Sequence, residues 1–222
     1  MIGTLQAEQE VHKHFTSKML EDTARKPYGS ECSIHHIEFA QISSLFSADA
    51  NVIEYGCADG WLCGLLSKRG NKCIGLDISE YWISLAKKNW PNSTFIVETF
   101  DYFFYNPVDV VIWNGSFHHS ISKHRSLEAS FNSLKFGGLL IINEPGLGFT
   151  WQSRVRKNTN RVGVTDRDCP PLQTIYLGYK AGFCQAKVYP ALNTYIRRGT
   201  NLIALTLGKY LHGLITMRKP LQ

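Results

Sequence analysis

The chain predicts an α/β protein built on a doubly wound, mostly parallel sheet, and three observations carry that prediction. Short apolar runs alternate with segments of helical periodicity from about residue 51 to 146, as strand–helix–strand crossovers require. Several runs are almost continuously apolar, VDVVIW (108–113) and LLIIN (139–143) among them, which marks strands covered on both faces. The first run opens into a turn with glycine at each end, EYGCADG (54–60), at the place where such a sheet forms its ligand crevice.

Taken in order, two N-terminal segments read as helices. Leu5, Val11, Phe15 and Met19, then Ile34, Ile37 and Leu45, recur at helical spacing, and Lys26-Pro27-Tyr28-Gly29 breaks the chain between them. Asn51 to Tyr55 is the first strand; the helix after it carries Leu62, Leu65 and Leu66 and ends at Gly70. Lys72 to Leu76 is the second strand, and Ser79 caps a helix that stops before Pro91. Thr94 to Val97 and Val108 to Trp113 are the third and fourth strands. A helix around Ser126 to Leu134 is expected to end at Gly137-Gly138, ahead of a fifth strand, Leu139 to Asn143. Residues 146–171 then form a polar, basic stretch before a helix bearing Leu172, Ile175 and Tyr176; a loop of that length is usually functional. Cys184 to Tyr189 and Leu202 to Leu207 are the last two expected strands. Three regions follow: an N-terminal helical cap (1–47), a ligand-binding core (48–145), and a basic substrate loop with the C-terminal part of the same sheet (146–222).

Composition bounds the function classes. With 222 residues, 44% hydrophobic and 19% charged, the chain is long enough for one substantial core. No apolar stretch has the length of a membrane span, and the start MIGTLQAEQEVHKHF has early acids and no apolar signal region. The cysteines at 32, 57, 63, 73, 169 and 184 make no C-x-x-C pair, so reduced thiols in a cytoplasm are expected. Charge is uneven: residues 1–145 hold 12 Lys+Arg against 16 Asp+Glu, whereas 146–222 hold 12 against 2. That asymmetry implies an anionic partner for the C-terminal part, or a solvated basic face.

The turn narrows the ligand. A strand opening into glycine and a helix is expected to present backbone N–H groups, and Asp77, seventeen residues after Gly60, suits two ribose hydroxyls. A dinucleotide fingerprint, G-x-G-x-x-G, would place its glycines at Gly56, Ala58 and Trp61; two are missing, which disfavours a pyrophosphate. The pattern instead resembles the acid-x-G-x-G-x-G motif of class I S-adenosylmethionine-dependent methyltransferases, with Ala58 at the middle glycine. GLDIS (75–79), FIVETF (95–100), VDVVIWNGSFHH (108–119), FGGLLIINEPG (136–146) and AGF (181–183) resemble later segments of that family in the same order, from about Asn51 to Gly208.

The resemblance implies a seven-stranded, Rossmann-like methyltransferase fold with an antiparallel edge strand and N-terminal helices, binding S-adenosylmethionine and releasing S-adenosylhomocysteine. It implies cofactor contacts from Glu54, Gly56, Cys57, Ala58, Asp59 and Gly60 in the turn, from Asp77 and Ile78 after the second strand, and from Asn114 and Gly115 after the fourth. Glu98, Thr99 and Phe100 replace the family's usual glycine–acid pair beside the adenine, and which of them faces the ligand stays open. Glu54 either organises the turn or meets the cofactor's amino group, and Asp59 either faces the methionine part or caps the helix.

For catalysis, methyl transfer to an aliphatic hydroxyl benefits from a positioned base. His118 and His119 follow the fourth strand and Glu144 ends the fifth, so these three are the candidates; equally, they can shape the pocket wall. Arg154, Arg156, Lys157 and Arg161 in the long loop are candidates for gripping an acidic or sugar-containing acceptor. The close pairs His12/His14, His35/His36 and His118/His119 lack i, i+4 or HEXXH spacing, and no metal is expected from them. Nucleic acid is the alternative partner, through the basic C-terminal part and Tyr176, Tyr179, Tyr189 and Tyr195. Against it, Asn114-Gly115-Ser116-Phe117 lacks the two prolines with which family members acting on base amines hold their target. A non-catalytic interaction protein is the third reading, supported by Ala58 and opposed by Gly56, Gly60 and Asp77. Nothing in the sequence sets the oligomeric state.

Overall fold

The computed structural model describes residues 34–151, 166–190 and 213–222. Its elements are α1 (Ile34–Ser43), β1 (Asn51–Tyr55), α2 (Trp61–Arg69), β2 (Lys72–Asp77), α3 (Glu80–Asn89), β3 (Thr94–Val97), β4 (Val108–Asn114), a 3₁₀ turn (Phe117–His119), α4 (Lys123–Ser133), β5 (Leu134–Asn143), α5 (Pro171–Lys180), β6 (Cys184–Pro190) and β7 (Gly213–Arg218). One seven-stranded sheet results, in the order β3-β2-β1-β4-β5-β7-β6. The β3-β2-β1-β4-β5 part is parallel throughout, while β7 runs antiparallel to both β5 and β6. The chain winds outward from β1 to β3, then returns to lay β4 on the other side of β1. That reversal opens a crevice at the carboxyl ends of β1 and β4.

Alternation along the strands sends side chains to two cores. Val52, Val110, Ile112 and Ile141 pack with Leu62, Leu66, Ile83 and Ala86 of α2 and α3, joined by Ile42 of α1. Ile53, Tyr55, Val111, Trp113 and Ile142 pack with Leu127 of α4 and Met217 of β7. Each such fully buried aliphatic side chain contributes about 1.5–3 kcal/mol relative to exposure. The period of two therefore fixes which strand residues touch which helix layer.

Helix ends follow local chemistry. Ser79 Oγ accepts the N–H of Trp82 at 3.3 Å, capping α3, and Gly70, at φ 115, closes α2 with its N–H on the Leu66 and Ser67 carbonyls.

Two expectations need correction. Gly137-Gly138 does not end the helix: α4 starts earlier, capped by Ser122, stops at Ser133, and passes directly into β5 at Leu134. Gly137 instead sits inside β5 at φ 74, where the pairing with β4 shifts register, and its N–H reaches the Lys219 and Pro220 carbonyls of the C-terminal tail. The glycine is there to bend the strand into the tail. The seventh strand is Gly213–Arg218; the expected strand Leu202 to Leu207 lies outside the described residues, as do Leu5, Val11, Phe15 and Met19 of the expected first N-terminal helix. Among the described residues no helix is long and apolar enough to cross a membrane.

Candidate functional site

Every residue of the glycine turn is bent by a specific demand. Gly56, Ala58 and Gly60 all have positive φ, at 72, 46 and 78. Side chains rarely adopt that region, at a cost on the order of 1–2 kcal/mol for a non-glycine residue, so Ala58 carries strain that the family's glycine avoids. A Cβ on Gly56 would overlap Ser116, and one on Gly60 would stand 2.6 Å from the Phe95 ring. Close approach, rather than flexibility, is what glycine supplies here.

The N–H groups of Gly56, Cys57, Ala58 and Gly60 are consumed within the protein, contrary to the expectation that the turn's amides face a ligand. Gly56 and Cys57 both donate to the Leu76 carbonyl at 2.7 and 2.8 Å, Gly60 donates to the Cys57 carbonyl, and Ala58 donates to Asp77 Oδ2 at 3.0 Å. The reason is parallel pairing: β1 ends one residue before the turn, and the first two turn amides simply continue onto the β2 carbonyl. A turn of this kind suits an uncharged nucleoside better than a pyrophosphate.

Two buried carboxylates hold the turn from either side. Glu54 Oε2 accepts the N–H of Cys63 in the first turn of α2 at 3.0 Å, replacing the side-chain cap that Gly60 cannot provide. Burial pushes its pKa well up, against that hydrogen bond, and the charges of Asp59 and Asp77 add to the rise. Of the two roles open to Glu54, organising the turn is the one seen. Asp77 ends β2 as a buried residue, 6% exposed; Oδ1 accepts from Ser79 N–H at 2.9 Å and Oδ2 from Ala58 N–H. Burial raises its pKa to about 6, with the Ser79, Ala58 and Ile78 amides pulling the other way. A carboxylate offers about four lone-pair sites, so beyond the Ser79, Ala58 and Ile78 amides acceptor capacity remains for a ribose hydroxyl.

A cavity of about 210 Å³ lies beside this floor, lined by Ile78, Thr99, Phe100, Asp101, His119, residues 120–122, Arg125 and Ser126. Thr99 and Phe100 line it, and Glu98 is not among its walls. Phe100 leans edge-on against Trp113, with ring centres 5.2 Å apart, and Thr99 Oγ1 donates to Asp101 at 2.6 Å. At the end of β4, Asn143 Nδ2 donates to Asn114 Oδ1 at 2.7 Å, and the Cβ position of Gly115 meets nothing within 4 Å. An open face there is what a ligand passing over β4 needs, so these residues fit an S-adenosyl group. A larger cavity, about 430 Å³, opens at the strands' amino ends. Its charged groups are already occupied: Lys135 pairs with Asp109 at 2.7 Å, and Arg218 donates to the Gly137 carbonyl.

Beyond Gly115 the three catalytic candidates come together. Glu144 Oε1 accepts the N–H groups of Ser116 and Phe117 at 2.7 and 2.6 Å, and its Oε2 lies 2.7 Å from His118 Nδ1. A carboxylate only accepts, so Nδ1 of His118 carries the proton and Nε2 keeps the ring's lone pair when the imidazole is neutral. Phe149 packs edge-on against His118, and the His119 ring lies 3.9 Å from that of His118. His118 is buried, whereas His119 lines the cavity.

Sequence reasoning missed the fourth member, Asp166. Its Oδ1 stands 3.6 Å from His118 Nε2 and 3.7 Å from His119 Nδ1. The strap that carries it is tied down on both sides. Arg167 donates to the Ser120 and Ile121 carbonyls, Asp168 accepts the N–H groups of Gly148 and Thr150, and Cys169 N–H donates to the Pro145 carbonyl. No local pattern marks Asp166; the density of turn-forming residues in TDRDCPP (165–171) is the only hint. Arg154, Arg156, Lys157 and Arg161 lie outside the described residues.

Comparisons with known proteins agree with this fold. The chain shares its fold with an S-adenosylmethionine-dependent methyltransferase from Mesorhizobium loti, at 16% identity over 84% of this chain and 98% of that one, with a TM-score of 0.64. It is also similar to the [4+2]-cyclase SpnF, at 14% identity over 97% of each chain and a TM-score of 0.69. A third likeness is to a Haloferax volcanii complex of the Trm112 methyltransferase activator with a putative methyltransferase, at 16% identity over 96% and 97% of the chains and a TM-score of 0.64. Among curated proteins none matches. The family model described as a methyltransferase domain matches residues 32–172, a span that contains the turn, Asp77, the histidine pair, Glu144 and Asp166. The chain belongs to the S-adenosylmethionine-dependent methyltransferase family, and S-adenosylmethionine is its cofactor.

Proposed function

We propose that the enzyme, working in the cytoplasm, methylates an oxygen of a small metabolite, either anionic or sugar-containing. The observation that carries this reading is the buried Glu144–His118 pair, 2.7 Å apart, on the same crevice as the glycine turn and Asp77. When bound, S-adenosylmethionine supplies a methyl group on a positively charged sulfur, which a nucleophile takes in line. Asp77 and Ile78 hold the ribose side, Thr99 and Phe100 the adenine, and Asn114 and Gly115 leave room above β4.

A neutral hydroxyl is a weak nucleophile, so its activation falls to the His118–His119–Glu144 cluster, whose available lone pair is Nε2 of His118. Glu144 cannot drift from this role, because two backbone N–H groups fix its other oxygen. Positioning by the crevice and activation by such a group together account for the bulk of the rate enhancement expected of this chemistry, the second contributing about 10²–10⁴. Arg154, Arg156, Lys157 and Arg161 are assigned to the acceptor's negative charge, on the strength of their place in the segment that leaves β5 beside the cluster. A non-catalytic scaffold has no use for a buried, oriented imidazole at the cofactor crevice, and against RNA base amines stands the lack of the two prolines in Asn114-Gly115-Ser116-Phe117.

The test is a screen of hydroxylated carboxylates, phosphates and sugars for release of S-adenosylhomocysteine, repeated with Glu144→Gln. Glutamine keeps an oxygen for Ser116 and Phe117 but turns its amide toward His118 and reverses the ring's tautomer. The expected result is a fall in kcat of about 10²-fold or more with S-adenosylhomocysteine affinity within a factor of about two. Turnover of base amines in RNA, or an unchanged kcat in the variant, would overturn the reading.

A further inference from the structure

Resting on the oxygen-methylation reading above, we propose that His118, His119 and Asp166 form a binding site for a divalent transition-metal cation of the zinc type, with an open position for the acceptor's oxygen. His118 Nε2, His119 Nδ1 and an Asp166 carboxylate oxygen all lie within 4.8 Å of one another. Both imidazole nitrogens address the same oxygen, Asp166 Oδ1, at 3.6 and 3.7 Å.

Those separations are too long for hydrogen bonds, and they are close to what a shared ion produces. Ligand atoms at about 2.0–2.2 Å from one tetrahedral ion stand roughly 3.3–3.5 Å apart. Closing each Asp166 contact by a few tenths of an ångström brings the carboxylate to that spacing, and the two imidazole nitrogens, within 4.8 Å of each other, draw together on the ion.

The shell behind the cluster has the form that metal-bound histidines take. A ligating imidazole ordinarily donates its second N–H to a carboxylate, which fixes the tautomer and raises the basicity of the ligating nitrogen. Glu144 does this for His118, and is itself immobilised by the Ser116 and Phe117 N–H groups. Asp166 is positioned by its neighbours in the strap, through Arg167 on the Ser120 and Ile121 carbonyls and Asp168 on the Gly148 and Thr150 N–H groups. Phe149 walls one side of His118 with an apolar edge, while the His119 side chain is 32% exposed, which gives an ion and an acceptor a way in.

Two imidazoles and one carboxylate select zinc, iron(II), cobalt or manganese over magnesium, whose preferred ligands are all oxygen. Three protein ligands leave a position open, as sites that act on a substrate do. An acceptor hydroxyl there would give a lone pair to the ion, and its acidity would rise as that of bound water does, from about 15.7 to about 7. With its Nε2 lone pair given to the ion, His118 no longer takes the hydroxyl proton itself and the ion does the activating; the proton departs to solvent and the oxygen keeps the electron pair. Adjacent histidines with the third ligand forty-seven residues on match no linear metal motif, which is why spacing along the chain pointed to none.

The experiment is titration of the full chain, stripped with a chelator, with Co²⁺, read by its visible absorption and by calorimetry. One saturable site is expected. His119→Ala and Asp166→Asn should each weaken Co²⁺ by about 100-fold or more, and Glu144→Gln by about 10–100-fold, with S-adenosylhomocysteine affinity retained in all three as the check on folding. Absence of saturable Co²⁺ binding in a chain that still binds S-adenosylhomocysteine would overturn the ion site and leave methyl transfer standing, as would Co²⁺ binding that ignores both ligand substitutions. Co²⁺ binding as expected in a chain with no methyl transfer to any oxygen acceptor would uphold the ion and sink the reading it rests on.

Discussion

Three carboxylates carry the site, and each is made tolerable in the interior by backbone N–H donors: Glu54 by Cys63, Asp77 by Ala58 and Ser79, Glu144 by Ser116 and Phe117. For Asp77 burial still prevails, lifting the pKa from 3.8 to about 6. The folded chain therefore binds a proton at Asp77 that the unfolded chain has already released between about pH 4 and 6. Stability from this group is greatest at the acid end of that window, declines as pH rises through it, and is lowest above about 6. In urea unfolding from pH 4 to 8, the stability of the wild type relative to Asp77→Asn should fall by roughly 2–3 kcal/mol; a difference that stays flat with pH would show that Asp77 has an ordinary pKa. Because ribose hydroxyls need the ionised acceptor, S-adenosylhomocysteine affinity should also drop as pH falls below about 6. Asp77 was legible from sequence since a strand-terminal acid needs only local context. Asp166 was not, because what makes it relevant is a fold in space between two loops.

Among the elements, α2 shows how a helix is seated against its neighbour α3 through a missing side chain. Gly64 lies on its buried face, where a methyl group would overlap the Trp90 ring at the end of α3. Gly64→Ala adds helix propensity, worth about 0.8–1 kcal/mol, yet overpacking costs about 1–3 kcal/mol, so net destabilisation is expected in a thermal melt. Trp90→Leu should restore part of the loss in the double variant. If Gly64→Ala alone stabilises the protein, the α2–α3 contact is looser than described. Element types were readable from apolar period throughout the core, and Ser79 and Gly70 behave as the caps their identities suggest. The Gly137-Gly138 pair was misread because a glycine that ends a helix and one that bends a strand look alike until the C-terminal tail supplies the Lys219 and Pro220 carbonyls.

At the scale of the molecule, the acidic excess lies before residue 146 and the basic excess after it. In the proposed function the buried cofactor floor takes its ligand through acceptor oxygens, and the basic region takes the acceptor through cations. Rising ionic strength screens exposed charges over a Debye length of about 10 Å at 0.1 M but hardly touches buried ones. The KM for an anionic acceptor should accordingly rise with salt while the Kd for S-adenosylhomocysteine stays nearly constant, and Arg154→Gln, Arg156→Gln and Arg161→Gln combined should remove most of the salt dependence. Equal salt effects on both ligands would show that the basic loop supports the fold rather than the acceptor.

Local order along the chain was enough to determine the strand–helix alternation, the glycine turn, the acid at the end of β2 and the family to which they belong, since each depends on residues within a turn or two of one another. Only the tertiary structure decided that the turn's amides are spent on Leu76 and Asp77, that Gly213–Arg218 fills the seventh place in the sheet, and that Glu144, two histidines and Asp166 share one corner. Those outcomes depend on hydrogen-bond partners and close packing between segments far apart in sequence, and no periodicity encodes such distances.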